Sequence, residues 1–167
     1  MSNTSPVGDA GEAREDTLKK LESHELPDWI VQHLNQYAAN PEQAHYWDAT
    51  FAGGHAKTPC LLLTTTGRKS GKQITMPLIY GKDGDRHVIV ASKGGAPEHP
   101  AWYRNLVAQP KADIQVVDKK YRVVARAATG EERKRLWAMM SEVYPPYPSY
   151  QEKTDREIPV VVLETIK

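Results

Sequence analysis

Between Cys60 and Glu164 the chain repeatedly forms a short extended run and then turns back. Cys60 to Thr66 is apolar and β-branched, and Gln73 to Tyr80 alternates. Arg86 to Ser92 follows the hairpin dipeptide Asp83-Gly84. Asp113 to Val117 and Tyr121 to Ala127 flank Asp118-Lys119-Lys120, and Ile158 to Glu164 closes the set with IPVVVLE. About six strands, linked mostly by hairpins, predict an antiparallel sheet, and closing it into a barrel removes exposed edges. The regular strand-helix alternation of a doubly wound parallel sheet is missing. The expected class is α+β, mainly β.

Helices are few. Leu26 to Ala39 places Leu26, Trp29, Ile30, His33, Leu34 and Tyr37 at helical spacing, with Pro27 suited to the first turn and Asn40-Pro41 to the stop. His99 to Ala108 and Thr129 to Val143 are the other two, the latter with Thr129 as a cap and Glu132 three residues on. Ala52 to Lys57 reads as a loop. Residues 1–20 are acidic and lack an apolar run, so they predict a disordered N-terminus rather than a signal peptide or a membrane span. Residues 21–167 form the expected single domain.

Charge and cysteine usage narrow the chemistry. The 167 residues carry a formal net charge of +1, so bulk charge selects no partner. The distribution is uneven: Met1 to Asn40 has 7 acids against 3 bases, and Lys57 to Arg126 has 13 bases against 5 acids. The single cysteine, Cys60, rules out a disulfide within the chain and a cysteine-pair metal site, and the six histidines show no HExxH spacing. No metal is expected, and the composition suits the cytoplasm.

Four stretches carry candidate chemistry. In Thr64 to Lys72, TTTGRKSGK, the glycines are separated by three residues and Lys72 is followed by Gln73, so this is not a nucleotide-hydrolase P-loop. It can still bind an anion: Gly67 and Gly71 free backbone amides, Arg68 offers a planar fork, and Lys69 and Lys72 are point charges. Ala91-Ser92-Lys93-Gly94-Gly95-Ala96 lies between a strand and a helix, where adjacent glycines let a ligand approach the backbone. In Trp102-Tyr103-Arg104-Asn105-Leu106, packing explains Trp102 and Leu106 but not Arg104 and Asn105. Tyr144-Pro145-Pro146-Tyr147-Pro148-Ser149-Tyr150 spaces three tyrosines by three among prolines, giving a stiff aromatic wall fit to stack on a planar molecule. Each stretch has a plainer reading, respectively a solvated hairpin tip, a connecting loop, a core helix and a packed proline loop. Together, anion clamps and an aromatic wall without a nucleophile suggest a borrowed cofactor.

LLLTTTGRKSGK, MPLIY, VIVASKGGAPEHPAWYRNL and TDREIPVVVLE, spread over Pro59 to Glu164, resemble the deazaflavin-dependent nitroreductase family, the coenzyme F420-dependent reductases of actinobacteria. The resemblance implies a split β-barrel and reduced F420 (F420H2) as cofactor. It assigns the phosphodiester and oligoglutamate tail to Thr66, Gly67, Arg68, Lys69, Ser70 and Gly71, with Lys57 as a further contact. It assigns the deazaflavin wall to Met76, Pro77 and Leu78, and ring or ribityl contacts to Ala91, Ser92, Lys93, Gly94 and Gly95. Trp102, Arg104 and Asn105 complete that site, while Ser92, Tyr144, Tyr147 and Tyr150 shape the substrate pocket. Pro146 and Pro148 depart from the residues the family places between those tyrosines.

The leading expectation is an F420H2-dependent reductase that passes hydride to a quinone, menaquinone included, or to a nitro-aromatic acceptor, with Ser92 or Tyr144 donating to the acceptor oxygen. The alternatives are an FMN protein of the same barrel type and a non-catalytic carrier of F420, lipid or haem. Nucleic acid ranks last. The Leu26 to Ala39 helix has two readings, a lid on the barrel or a peripheral contact with the inner face of the cell membrane. The protein is expected to be a monomer or a homodimer.

Overall fold

The computed structural model describes residues 28–166. The expected disordered segment 1–20 and the first two residues of the Leu26 to Ala39 helix lie outside the described residues. The strands are β1 (Tyr46–Trp47), β2 (Thr58–Thr66), β3 (Gln73–Ile79), β4 (Gly81–Asp83), β5 (Arg86–Val90), β6 (Lys111–Val116), β7 (Lys119–Ala127) and β8 (Val160–Thr165). Each pairing is antiparallel, and the sheet runs β3-β2-β6-β7-β8-β5-β4, with β1 on the start of β2.

The connectivity forces curvature. β3 and β4 stand at the two ends of that path, yet Tyr80 alone separates them along the chain. The ends of the sheet are therefore brought together, and β3 rests against β5 without a hydrogen-bond ladder. This is a split barrel, as expected. Pro77 is tolerated in β3 because β3 pairs only with β2, so a missing N–H breaks no second ladder.

The continuous apolar runs of β5 and β8 follow from burial on both faces. Ile89, Ala91, Val161 and Leu163 point into the barrel, where they join Leu61, Leu63, Ile114 and Trp102. Val88, Val90, Val160 and Val162 point outward and are covered by Leu136 and Met140 of a helix, Gly130–Val143. In chain order the helices are α1 (Asp28–Ala39), α2 (Pro41–Ala44), α3 (Ala101–Ala108), α4 (Gly130–Val143) and α5 (Tyr147–Glu152).

Several expectations need correction. There are eight strands among the described residues rather than about six; β1 and β4 are too short to show a period. Thr129 stands at the N-cap of α4, but its side chain makes no capping bond. Glu132 is instead held by Arg126, at 2.6 and 3.0 Å, and by Arg86. The tyrosine stretch is not a loop: Tyr147–Glu152 is helical, with Pro148 in its first turn, where no N–H is required. α1 follows the lid reading. Ile30, His33, Leu34 and Tyr37 are buried, and the Tyr37 hydroxyl reaches the Cys60 carbonyl and accepts from the Val117 amide.

Candidate active site

A cavity of about 640 Å³ opens between the barrel and its helices. That volume suits a drug-sized planar ligand. One wall is β3, with Met76, Pro77 and Leu78 flanked by Ile74 and Ile79. Part of the lining is aromatic: Tyr144, Tyr147 and Tyr150. Ser92, Lys93 and Gly94 form one edge, and Trp102 and Asn105 of α3 form another. Ile30 and His33 of α1 close over it, and Trp47 and Phe51 stand at the rim. Phe51 is 74% exposed and packs edge-on to Trp47.

Tyr147 and Tyr150 are neighbours on α5, where a spacing of three becomes adjacency, and Tyr144 joins them from the C-cap of α4. Tyr147 is only 3% exposed, and its ring packs at 4.9 Å from that of Tyr144. The hydroxyls of Tyr144 and Tyr150 lie 2.9 Å apart. Only one of the two can donate in that bond, which leaves the other proton for a different acceptor. Burial, reinforced by that bond, pushes the Tyr144 phenol well above its ordinary value, so it stays protonated and can donate.

Asn105 joins the cavity to the cationic turn. It is buried, and its Nδ2 donates to Thr65 Oγ1 at 3.2 Å. Its Oδ1 accepts from both the Arg68 amide and the Arg68 guanidinium, at 3.2 and 3.0 Å. The turn is closed by Gly67 N to Lys72 O and Gly71 N to Gly67 O, and Gly71 takes the left-handed conformation at φ 72. The amides of Lys69 and Ser70 make no hydrogen bond among the described residues. Free amides beside Arg68, Lys69 and Lys72 form a donor set for an anion.

The remaining sequence candidates divide. Thr66 accepts from Gln73 Nε2 through its hydroxyl, and buried Gly67 anchors the turn. Ala91 is in the barrel core and Gly95 is buried against α5, so neither lines the cavity. Arg104 is on the exposed face of α3, also outside the cavity lining. Lys57 is not brought to the turn: it precedes β2 while the turn follows it, and nine extended residues span about 30 Å. Sequence reasoning missed Ile30, His33, Trp47 and Phe51 as cavity residues. Helical spacing marks Ile30 and His33 as apolar-face positions, but a core and a cavity wall produce the same pattern. The His33 Nε2 must carry its proton, because it faces the Ala44 carbonyl at 2.8 Å, and burial lowers its pKa. Cys60 also reaches the cavity, but burial pushes its thiol up to about 12, which makes it a poor nucleophile. No cluster among the described residues could hold a metal.

An aromatic-walled slot on a split barrel, linked through Asn105 to a cationic turn with open amides, has the features of a small-molecule site. The chain belongs to the F420H(2)-dependent quinone reductase family, an oxidoreductase family, whose profile matches residues 36–165. An F420H(2)-dependent quinone reductase of Mycobacterium tuberculosis is 39% identical over 141 residues, covering 81% of this chain and 95% of that protein. Among solved structures, an F420-H2 dependent reductase, FDR-A, is 48% identical with a TM-score of 0.60, covering 64% of this chain and 94% of its own. A structure described as a domain-swapped dimer is 41% identical with a TM-score of 0.61, covering 82% and 98%. The haem storage protein HutZ of Vibrio cholerae shares the fold alone, at 14% identity and a TM-score of 0.51, covering 65% and 82%.

Proposed function

We propose that this chain is an F420H2-dependent quinone reductase whose cavity holds the deazaflavin and the acceptor face to face. Asn105 carries the reading: one buried side chain lines the cavity and fixes Arg68, so the planar slot and the anion turn are parts of a single site. The donor set fits the cofactor. Arg68, Lys69 and the open amides of Lys69 and Ser70 match a phosphodiester and a polyanionic tail, whereas FMN, with one terminal phosphate, would leave much of that charge unmatched.

When bound, reduced F420 supplies a hydride from the C5 carbon of its deazaflavin. The chain supplies the geometry. Met76, Pro77 and Leu78 give the ring an apolar bed, and Trp102 and the Ser92–Gly94 edge limit its sliding. The Tyr144–Tyr150 pair lines the same cavity, with one hydroxyl proton free for a quinone oxygen as negative charge develops there. The same proton serves a nitro oxygen, so nitro-aromatic reduction is expected as a secondary activity. Alignment of two planar partners in a closed slot is the main source of rate. The described apolar face of α1 is buried on the barrel, so a membrane contact through that face has no support.

The test is anaerobic mixing with F420H2 and a panel of menadione and a nitroimidazole, following the return of oxidised deazaflavin absorbance. Turnover with menadione is expected. Binding of F420H2 without oxidation by any acceptor would make the chain a carrier.

A further inference from the structure

The Ser92–Ala96 loop holds one residue, Lys93, in a backbone region that non-glycines disfavour. Lys93, Gly94 and Gly95 all have positive φ, at 45, 63 and 83, and Lys93 is no glycine. The glycines adopt that region freely, but a non-glycine such as Lys93 persists there only where its surroundings over-determine it. The surroundings here converge on Arg156. Its Nε donates to the Ala96 carbonyl at 2.9 Å, one terminal nitrogen donates to the Ser92 carbonyl at 2.7 Å, and the other reaches the Ala91 carbonyl at 3.2 Å and His99 Nδ1 at 3.0 Å. One planar group thus grips the loop at both its entry and its exit.

Arg156 is itself fixed by α5. Gln151 Nε2 donates to the Arg156 carbonyl at 2.7 Å, while Gln151 Oε1 accepts from Ile158 N. The loop meets α5 directly as well: a Cβ on Gly95 would lie 2.5 Å from the Tyr150 carbonyl oxygen. The edge of the cavity carrying Ser92, Lys93 and Gly94 is therefore tied to the helix carrying Tyr147 and Tyr150. Among the described residues Arg156 forms no ion pair, so its donors serve carbonyls and an imidazole rather than a carboxylate.

We propose that Arg156 is a positioning residue for hydride transfer: it locks the left-handed loop against the tyrosine helix, so that Ser92 and Lys93 present a fixed edge to the bound ring and acceptor. This rests on the reductase reading. A lysine cannot replace it. An ammonium keeps the charge but lacks the rigid fork that spans three carbonyls and a ring nitrogen.

The test compares wild type, Arg156→Lys and Arg156→Ala in the anaerobic F420H2 and menadione assay, together with F420 titration and thermal melts. At saturating F420H2 we expect kcat to fall about 10²-fold in both variants, the loss typical of reacting partners misplaced by about 1 Å. F420 affinity should fall much less than kcat, and added guanidinium ion should restore part of the rate of Arg156→Ala. Arg156→Lys keeps the test usable if Arg156→Ala does not fold. Wild-type kcat in Arg156→Lys, or a loss explained wholly by weaker F420 binding, would overturn the proposal. An inactive wild type sinks the reductase reading and this inference with it, whereas a wild-type-like lysine variant sinks this inference alone.

Discussion

The Gly67 to Lys72 turn, joined to the cavity lining through Asn105, and the Tyr147–Glu152 helix, whose tyrosines line it, are held in different ways. The turn is exposed from Arg68 to Lys72 and is anchored mainly by Asn105 and its own backbone bonds. The helix is rooted in the outer core, where Tyr144 and Tyr147 pack with Leu136, Met140 and Val160. On the proposed reading, a ligand's charge would be met where the chain is exposed and its plane where the chain is buried. Substitutions in the two places should therefore separate affinity from stability.

The largest effect is expected at Tyr147. Tyr147→Ala removes a buried ring beside Tyr144 and Trp137, and large aromatic-to-alanine changes cost about 3–5 kcal/mol. Urea unfolding should record that loss, and activity should go with it. Stability within error of wild type would mean the helix is not a core element. Arg68→Ala comes next and should divide the other way. Losing a charge-assisted contact of about 1.5–3 kcal/mol weakens F420 binding roughly 10- to 100-fold, with little change in the urea midpoint. Equal F420 affinity in the variant, by fluorescence titration, would remove the turn from the cofactor site. Tyr144→Phe is smaller and more local. It breaks the hydroxyl pair and should lower kcat about 10-fold, since a positioned proton donor is worth less than the alignment of the two rings. F420 affinity should hold.

How far the sequence anticipated this follows the same division. β2, β3, β5, β7 and β8 were legible because β-branched runs bounded by turn residues have few other uses, and Asp83-Gly84 does lie at the tight β4–β5 turn, where Asp83 pairs with Arg86. The helical state of Tyr147–Glu152 was hidden because three prolines read as a loop unless one knows that Pro146 and Pro148 fall at a helix start. The cations of the turn were visible as composition. Their attachment to Asn105 was not, because that contact spans 37 residues. Arg156 was less visible still. It sits in the motif TDREIP, but its partners are carbonyls some sixty residues away, and a carbonyl leaves no mark in a sequence. Local chemistry can be read along the chain; a clamp made across the fold cannot.

The smallest expected effect concerns pH and sharpens the contrast between exposed and buried regions. Burial lowers the pKa of His33 and of His87, whose ring lies between those of Tyr80 and Tyr121. His87 Nδ1 is buried without a hydrogen-bond partner, so a proton gained there would find nothing to accept it. Above the ordinary histidine value of 6.5 both the folded and the unfolded chain are neutral at these sites, and stability is flat with respect to them. Below it the unfolded chain takes up protons that the folded chain refuses, so stability falls as pH drops through and below 6.5. Urea midpoints measured between neutral and mildly acidic pH should show that decline. His87→Phe keeps a ring in the gap and removes the titration, so its decline should be shallower. Lys69→Gln, in the exposed turn, should leave the curve in place. An unchanged slope in His87→Phe would mean that the acid sensitivity resides outside the buried His87 ring.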